Sequence, residues 1–286
     1  MGLLHKAASL APPGFVRFIG RLQHRSAVAA AVVNYASSRI ASSDGVITHG
    51  VGAGLRFDAT GGFAGYLLGT SEPAEQAVLA GLLKPGDVFY DIGANIGFYA
   101  TLAARLVGPE GRVCAFEPFA ASAGMVERNA ALNQFENVTV TQAAVAAQDG
   151  SLYLNLAAQS AQNKLQASDP GTQGVAVQAI AIDSWISARS VPLPSVVMID
   201  VEGAELDVLR GMKQTLMRCL PSIMCEVHWL GPRFPDFVRE ELEPLGYVAT
   251  TYAGGPLPTA HEHFHALLVV PDRAARVGHV SVPGIR

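Results

Sequence analysis

Cysteine is scarce in this chain of 286 residues: only Cys114, Cys219 and Cys225 occur, and no two of them form a CxxC pair. There is therefore no disulfide framework to read. Cys114 and Cys225 sit in apolar, strand-like runs, where cysteine acts as a small buried hydrophobe, and a reduced, cytoplasmic setting fits this usage. Charge is scarce as well. Charged residues make up 15% of the chain and hydrophobic ones 50%, which excludes a disordered polypeptide. The formal net charge of -4, with no basic patch interleaved with aromatics, argues against a nucleic-acid partner. No apolar run is long enough to span a bilayer. The candidate "AVAAAVV" at Ala27 to Val33 is too short, and Arg25 and Arg39 interrupt the region where a signal peptide would lie. Acidic residues are missing altogether before Asp44, whereas Lys6, Arg17, Arg21, Arg25 and Arg39 are basic. This first segment reads either as a helical extension packed on the main domain or as an amphipathic helix in peripheral contact with a membrane or a partner.

The rest of the chain alternates strand-like and helix-like patterns. A glycine-rich, hairpin-like stretch covers Val46 to Thr70, and a helix follows over Pro73 to Leu83, closed by "KPGD". Strands are expected at Val88 to Asp91, Arg112 to Glu117, Val138 to Val145, Val196 to Asp200, Ile223 to His228, Tyr247 to Thr251 and His265 to Val270. Helices are expected at Ile96 to Leu106, Ala121 to Leu132, Ala204 to Met217 and Phe234 to Leu245. A further strand pair, Ser151 to Leu156 and Val175 to Ile180, reads as a β insertion joined by a polar loop. The alternation implies an α/β, doubly wound sheet in residues 71–286, preceded by a helical and β-hairpin extension in 1–70. Ligands of such sheets bind at the carboxyl ends of the strands.

One stretch combines three features. In "DVFYDIGANIGFYATLAARL" a hydrophobic strand ends at Asp91, the small residues Gly93, Ala94 and Gly97 surround Asn95, and apolar residues then recur at helical spacing. The glycines would let a ligand approach the backbone, or would serve tight strand-to-helix packing. Glu117 ends the next strand twenty residues after Gly97, where a carboxylate accepts hydrogen bonds from both hydroxyls of a ribose. The turn is not GxGxxG: asparagine stands where the second close glycine would be. An acid at the strand end repels a pyrophosphate and suits an ammonium group, such as that of S-adenosylmethionine, whose carboxylate the backbone and Asn95 can meet. An NAD-dependent enzyme is disfavoured on the same grounds.

"DVFYDIGANIGFYATLAARLVGPEGRVCAFEP", followed by "ERNAALNQFENVTV", "QAAVAAQDG", "AIDSWI" and "MIDVEGAELDVLRGM", resembles the FkbM family of S-adenosylmethionine-dependent methyltransferases from about Gly69 to about His228. The resemblance implies a class I methyltransferase (Rossmann-like) fold with a mostly parallel seven-stranded sheet. It implies O-methylation of a hydroxyl on a sugar, glycan, lipid-linked or secondary-metabolite acceptor. By the same resemblance Asp91, Gly93, Asn95 and Gly97 hold the methionine part, Glu117 the ribose, and Ala143 and Ala144 lie near the adenine.

Later strand ends supply the catalytic candidates. "VVMIDVEGAELDVL" delivers Asp200 and Glu202, and "PSIMCEVHWL" delivers Glu226 and His228, which share a face two residues apart. His228 is the first candidate base, with Glu226 orienting it or binding the acceptor, and Asp200 near the sulfonium or the acceptor hydroxyl. Helix capping is the alternative for Asp200 and Glu202. Glu72 either covers the cofactor or serves as a helix N-terminal acid. Where the family has lysine, giving "KIDVEG", this chain has Met198, so a cation is missing beside Asp200. That departure motivates the alternative of a non-catalytic cofactor-binding module. His261, His263 and His265 alternate along a strand entry and read as surface histidines rather than a metal site; a divalent ion on Asp200, Glu226 and His228, orienting an acceptor diol, is the lesser alternative, and no metal is assigned.

Overall fold

The computed structural model describes residues 44–155, 164–166 and 174–271. The basic amino-terminal segment and most of the polar loop after Leu156 lie outside the described residues. The described chain enters as an antiparallel pair, β1 (Asp44–Val46) and β2 (Arg56–Asp58), followed by helices α1 (Ala64–Leu68) and α2 (Pro73–Leu82). Alternation then begins with β3 (Val88–Ile92), α3 (Phe98–Val107), β4 (Arg112–Phe116), α4 (Ala120–Leu132) and β5 (Val138–Thr141). Four strands follow that leave the main sheet: β6 (Ala144–Val145), β7 (Gly150–Asn155), β8 (Lys164–Gln166) and β9 (Gly174–Ile180). After α5 (Ile182–Arg189) come β10 (Val196–Ile199), α6 (Glu205–Gly211), α7 (Lys213–Cys219), β11 (Ser222–His228), α8 (Arg233–Phe237), β12 (Val248–Thr251) and β13 (His263–Val269).

The main sheet has seven strands in the order β12-β13-β11-β10-β3-β4-β5. Every pairing is parallel except the two made by β13. This is the expected doubly wound sheet, Rossmann-like in its parallel half. The chain winds outward from β3 through β4 to β5, and in the other direction from β10 through β11. The strand order therefore reverses between β3 and β10, and a crevice opens at their carboxyl ends. The insertion forms a separate four-stranded sheet, order β6-β9-β7-β8.

Sheet periodicity separates two cores. Tyr90, Ile92, Cys114, Phe116, Val197 and Ile199 face one side, where Trp185 of α5 and Leu209 of α6 cover them. Phe89, Val113, Ala115, Val196 and Met198 face the other, beneath Leu79 of α2 and Leu102 of α3. Alternate residues thus serve opposite layers, and a strand buried on both faces becomes a continuous apolar run. Each fully buried large side chain contributes about 1.5–3 kcal/mol relative to exposure.

Several expected elements break where the backbone requires it. The strand expected over 138–145 divides, its last two residues joining the insertion sheet through β9. The helix expected over 204–217 is interrupted at Met212, whose buried side chain anchors the junction. The helix expected over 234–245 widens after Phe237 into a π turn and closes in a 3-10 turn containing Pro244, which has no N–H to continue an α-helix. Helix α5 was not among the expected helices. Its Asp183 accepts the backbone N–H groups of Gln214 and Thr215, tying it to the start of α7.

Candidate functional site

At the carboxyl ends of β3, β4, β10 and β11 lies a cavity of about 250 Å³. Asp91, Gly93, Ala94, Asn95, Glu117, Ala143, Ala144 and Glu72 line it, and so do Asp200, Glu202 and Glu226. Of the cofactor-binding and catalytic candidates, Gly97 and His228 do not line it, nor do His261, His263 and His265.

The turn is built mainly by contacts within the protein. Gly93 has φ +89°, and a Cβ there would stand 1.8 Å from the carbonyl oxygen of Asp200, so only glycine lets β3 and β10 converge at the cleft. Gly97, with φ +84°, would press a Cβ against Val126 at 3.0 Å and caps α3. Close packing, rather than ligand approach, explains these two glycines in the direction where a Cβ would point. The backbone N–H of Asn95 donates to Oε2 of Glu117 at 2.9 Å, and that of Phe119 donates to Oε1 at 2.8 Å. Glu117 thereby clamps the turn, while each of its oxygens retains a lone pair for a ligand. Asp91 is 3% exposed, and its Oδ2 has no hydrogen-bond partner among the described residues. Burial pushes Asp91 up to about 7, against the lowering effect of the Ala100 N–H, with the nearby Glu117 charge adding to the rise. Burial likewise raises Glu117 to about 7, although its two backbone hydrogen bonds oppose this.

A second group of side chains sits where β11 and β13 run antiparallel. Glu226 is registered opposite His265, and His228 opposite His263, so all four share one face. Nδ1 of His228 lies 2.7 Å from Oε1 of Glu205, and its Nε2 lies 3.4 Å from Glu226, 3.8 Å from Asp200 and 4.0 Å from Glu202. Burial would lower this imidazole, but Glu205, Glu226 and Asp200 outweigh it and raise it to about 10. The three carboxylates thus favour the protonated ring, and the Nδ1 of the expected base is engaged by Glu205. Glu226 is held well below the usual carboxylate range: its own burial works against this, and His228 and His265 prevail. Asp200 is enclosed at the floor of the cleft, although 37% of its side-chain surface still faces the opening. That enclosure and the charges of Glu226, Glu75 and Glu202 raise it well above the carboxylate range, with only His228 opposing.

Glu72, in a left-handed conformation (φ 42°), stands at the rim of the cleft and accepts the Tyr99 hydroxyl at 2.7 Å. Burial and the neighbouring Glu75 raise it to about 8. Met198 lies buried in the cleft floor, registered beside Asp91. The cation expected from the family lysine is absent there, and His228 supplies one to Asp200 from the neighbouring strand.

The sequence reading missed Glu75, Glu205, Tyr66 and Tyr99. Glu75 and Glu205 are fully buried acids in the first turns of α2 and α6, and Tyr66 lines the cleft, stacked on Phe98 at 4.6 Å. Glu75 was legible only as the acid three residues after Glu72, on the same helix face. His263 is exposed, as expected, and bonds Glu226 from the surface, whereas His265 is partly covered beside Glu226 and Glu75, because β13 is paired with β11 and not left at an edge. His261 precedes the strand and bonds the carbonyl of Trp229 instead.

The family profile described as "Methyltransferase FkbM domain" matches residues 91–249, more than half of the chain. The chain belongs to the FkbM methyltransferase family. The match begins at Asp91, ends within β12, and contains Glu117, Asp200, Glu226 and His228. Among relatives of this FkbM protein, the hexuronic acid methyltransferase AglP of Haloferax volcanii is 28% identical over 157 residues, covering 54% of this chain and 62% of the relative. Methyltransferase 1 of Beauveria bassiana is 27% identical over 164 residues, covering 50% of this chain and 66% of the relative. The chain thus spans a little under two thirds of the length of each. The crystal structure of methyltransferase FkbM from Methylobacillus flagellatus is similar with a TM-score of 0.43 at 14% identity, over 72% of this chain and 53% of that one. Among the described residues no helix is long and apolar enough to cross a membrane.

Proposed function

We propose that this FkbM-family protein is an S-adenosylmethionine-dependent methyltransferase that O-methylates a hydroxyl of a sugar-like acceptor. One observation carries the reading. The cavity that joins the Gly93–Asn95 turn to Glu117 is lined by six carboxylates, Glu72, Asp91, Glu117, Asp200, Glu202 and Glu226, and by no lysine or arginine among the described residues. Burial raises several of these acids, so the cleft offers nothing to a pyrophosphate and favours a nucleoside whose positive charge lets them ionise.

The residues present fit that cofactor. The unpartnered Oδ2 of Asp91 is suited to the ammonium group, Glu117 to the two ribose hydroxyls, and the small side chains of Ala143 and Ala144 to the adenine. When bound, the cofactor supplies an electrophilic methyl group on a sulfonium. The protein must then orient an acceptor hydroxyl and receive its proton. Alignment supplies the larger share, up to roughly 7–11 kcal/mol of barrier, and a base about 10² to 10⁴-fold in rate. Asp200 is the candidate base in this reading: it lines the cleft, and the positive charge of the bound sulfonium, added to that of His228 3.8 Å away, opposes the burial and neighbouring acids that otherwise keep its proton on. His228 then positions Asp200 and Glu226. The name of the Haloferax relative, a hexuronic acid methyltransferase, supports a sugar acceptor.

Titration calorimetry with S-adenosylmethionine, S-adenosylhomocysteine and NAD tests the cofactor, and transfer of a labelled methyl group to uronic acids, neutral glycans and other hydroxylated pools tests the chemistry. Binding of both adenosyl ligands and label in a hydroxylated pool are expected. Tight NAD binding with no response to S-adenosylhomocysteine would overturn the cofactor assignment. Cofactor binding with every pool unlabelled would favour the non-catalytic alternative.

A further inference from the structure

Glu226 and His265 belong to two clusters at once. With His263 they form one group of converging ligand atoms, and with Glu72 and Glu75 they form another; in each group the atoms lie within 4.8 Å of one another. Strand register creates the pair, since Glu226 and His265 are direct partners across β11 and β13. Helix α2 closes it from above with Glu75.

The internal geometry is unusual for a simple ion-pair network. Nε2 of His265 lies 2.9 Å from Oε1 of Glu75 and 3.8 Å from Oε2 of Glu226. Yet neither Glu75 Oε1 nor His265 Nε2 makes a hydrogen bond among the described residues, although both atoms are buried and the Glu75 side chain is only 2% exposed. The other Glu75 oxygen is occupied by the Tyr99 hydroxyl. Tyr252 stacks on the His265 ring at 5.3 Å and fixes its plane. The 2.9 Å approach is an ion pair without hydrogen-bond geometry, so two buried ligand-type atoms face one spot with their hydrogen bonding unmet, which is costly unless a third body satisfies both. Bonds of about 2.0–2.2 Å to a common ion allow donors to stand up to roughly 4.4 Å apart, and both measured separations fall inside that limit.

We propose that a divalent transition-metal ion binds at this junction, held by Glu75, Glu226 and His265, with His263 as a further donor beside Glu226. Mixed imidazole and carboxylate donors select zinc, manganese or iron(II) over magnesium or calcium, which prefer oxygen alone. Glu72, Glu75 and Glu226 gather there beside the His228 ring, 3.4 Å from Glu226, and the ion takes the place of the proton that Glu75 and Glu226 favour on His265. Glu226 also lines the cleft, so the ion adjoins the space assigned to the acceptor. On the methyl-transfer reading, on which this role rests, the ion would bind an acceptor oxygen and ease loss of its proton.

Metal binding is read without cofactor or acceptor, so its failure leaves the methyl-transfer reading standing, and the reverse holds too. The whole chain is stripped with a chelator, dialysed separately against Zn²⁺, Co²⁺, Mn²⁺ and Mg²⁺, and assayed for bound metal by mass spectrometry. About one equivalent of Zn²⁺ or Co²⁺ should be retained, with Co²⁺ giving visible ligand-field bands, and Mg²⁺ should not be. Glu75→Gln and His265→Asn should each weaken Zn²⁺ affinity at least tenfold, their folding being checked by circular dichroism. Anomalous scattering from zinc-soaked wild-type crystals locates the ion independently of either variant. Retention of no transition metal by the wild type, unchanged affinity in both folded variants, or an anomalous peak elsewhere would overturn the proposal.

Discussion

Glu117 at the end of β4 holds the turn that follows β3, its Oε2 accepting the backbone N–H of Asn95 at 2.9 Å. Buried Asp91 lies on the neighbouring strand, and the two acids adjoin one cleft. Both are raised from the usual carboxylate range to about 7. In the free protein their contribution to stability is fully present below the usual carboxylate range and is lost as the pH rises through about 7. Ligand binding has the opposite sign, because a cationic nucleoside needs them ionised. Affinity for S-adenosylmethionine is expected to rise between pH 6 and pH 8, by up to about tenfold per pH unit for each acid that must lose its proton. Calorimetry across that range checks it, and Glu117→Gln should flatten the dependence. A pH-independent affinity would count against the roles of both acids.

Gly93 and Gly124 make a matched pair of tests. Gly93→Ala forces a left-handed backbone onto alanine, about 1–2 kcal/mol by itself, and drives the new methyl into the Asp200 carbonyl at 1.8 Å. The variant should lose stability and cofactor binding together. Gly124 lies within α4, and a Cβ there meets nothing within 4 Å. Gly124→Ala should therefore stabilise the protein by about 0.5–1 kcal/mol, with binding unchanged. Urea denaturation of both variants reads the contrast.

His228 is expected to behave as a structural cation. Its imidazole is raised to about 10 by Glu205, Glu226 and Asp200, so its stabilising contribution is complete below about 6.5 and disappears as the pH rises through about 10. His228→Ala leaves the fully buried Glu205 with only the Gly203 N–H and no charged partner, and breaking a buried pair costs about 3–5 kcal/mol. Thermal melts of wild type and variant should differ most near pH 6.5 and converge toward pH 10. A constant difference across that range would mean that the ring packs as a neutral group.

Much of the site was readable before any tertiary structure. Asp91, Glu117, Asp200 and Glu226 stand at the ends of apolar runs, and in a doubly wound sheet the ends of runs are where the cleft lies. Met198 shows the limit of that reasoning. Its place two residues before Asp200 marked a missing cation, but nothing along the chain indicated that His228 would supply one from the next strand. The meeting of His263 and His265 with Glu226 was equally hidden: alternation places the two histidines on one face, and only pairing with β11 decides what that face meets.

The glycine turn, the carboxylate at residue 117 and the alternation of strands and helices, α5 apart, follow from the sequence alone, because backbone periodicity, left-handed turns and helix starts depend on near neighbours. The protonation of Asp91, Glu117 and His228, the burial of Glu75 and Glu205, and the meeting of Glu226 with His265 were decided by tertiary structure. Those properties depend on desolvation and on charges that are remote in the chain and adjacent in space, which no local pattern of residues encodes.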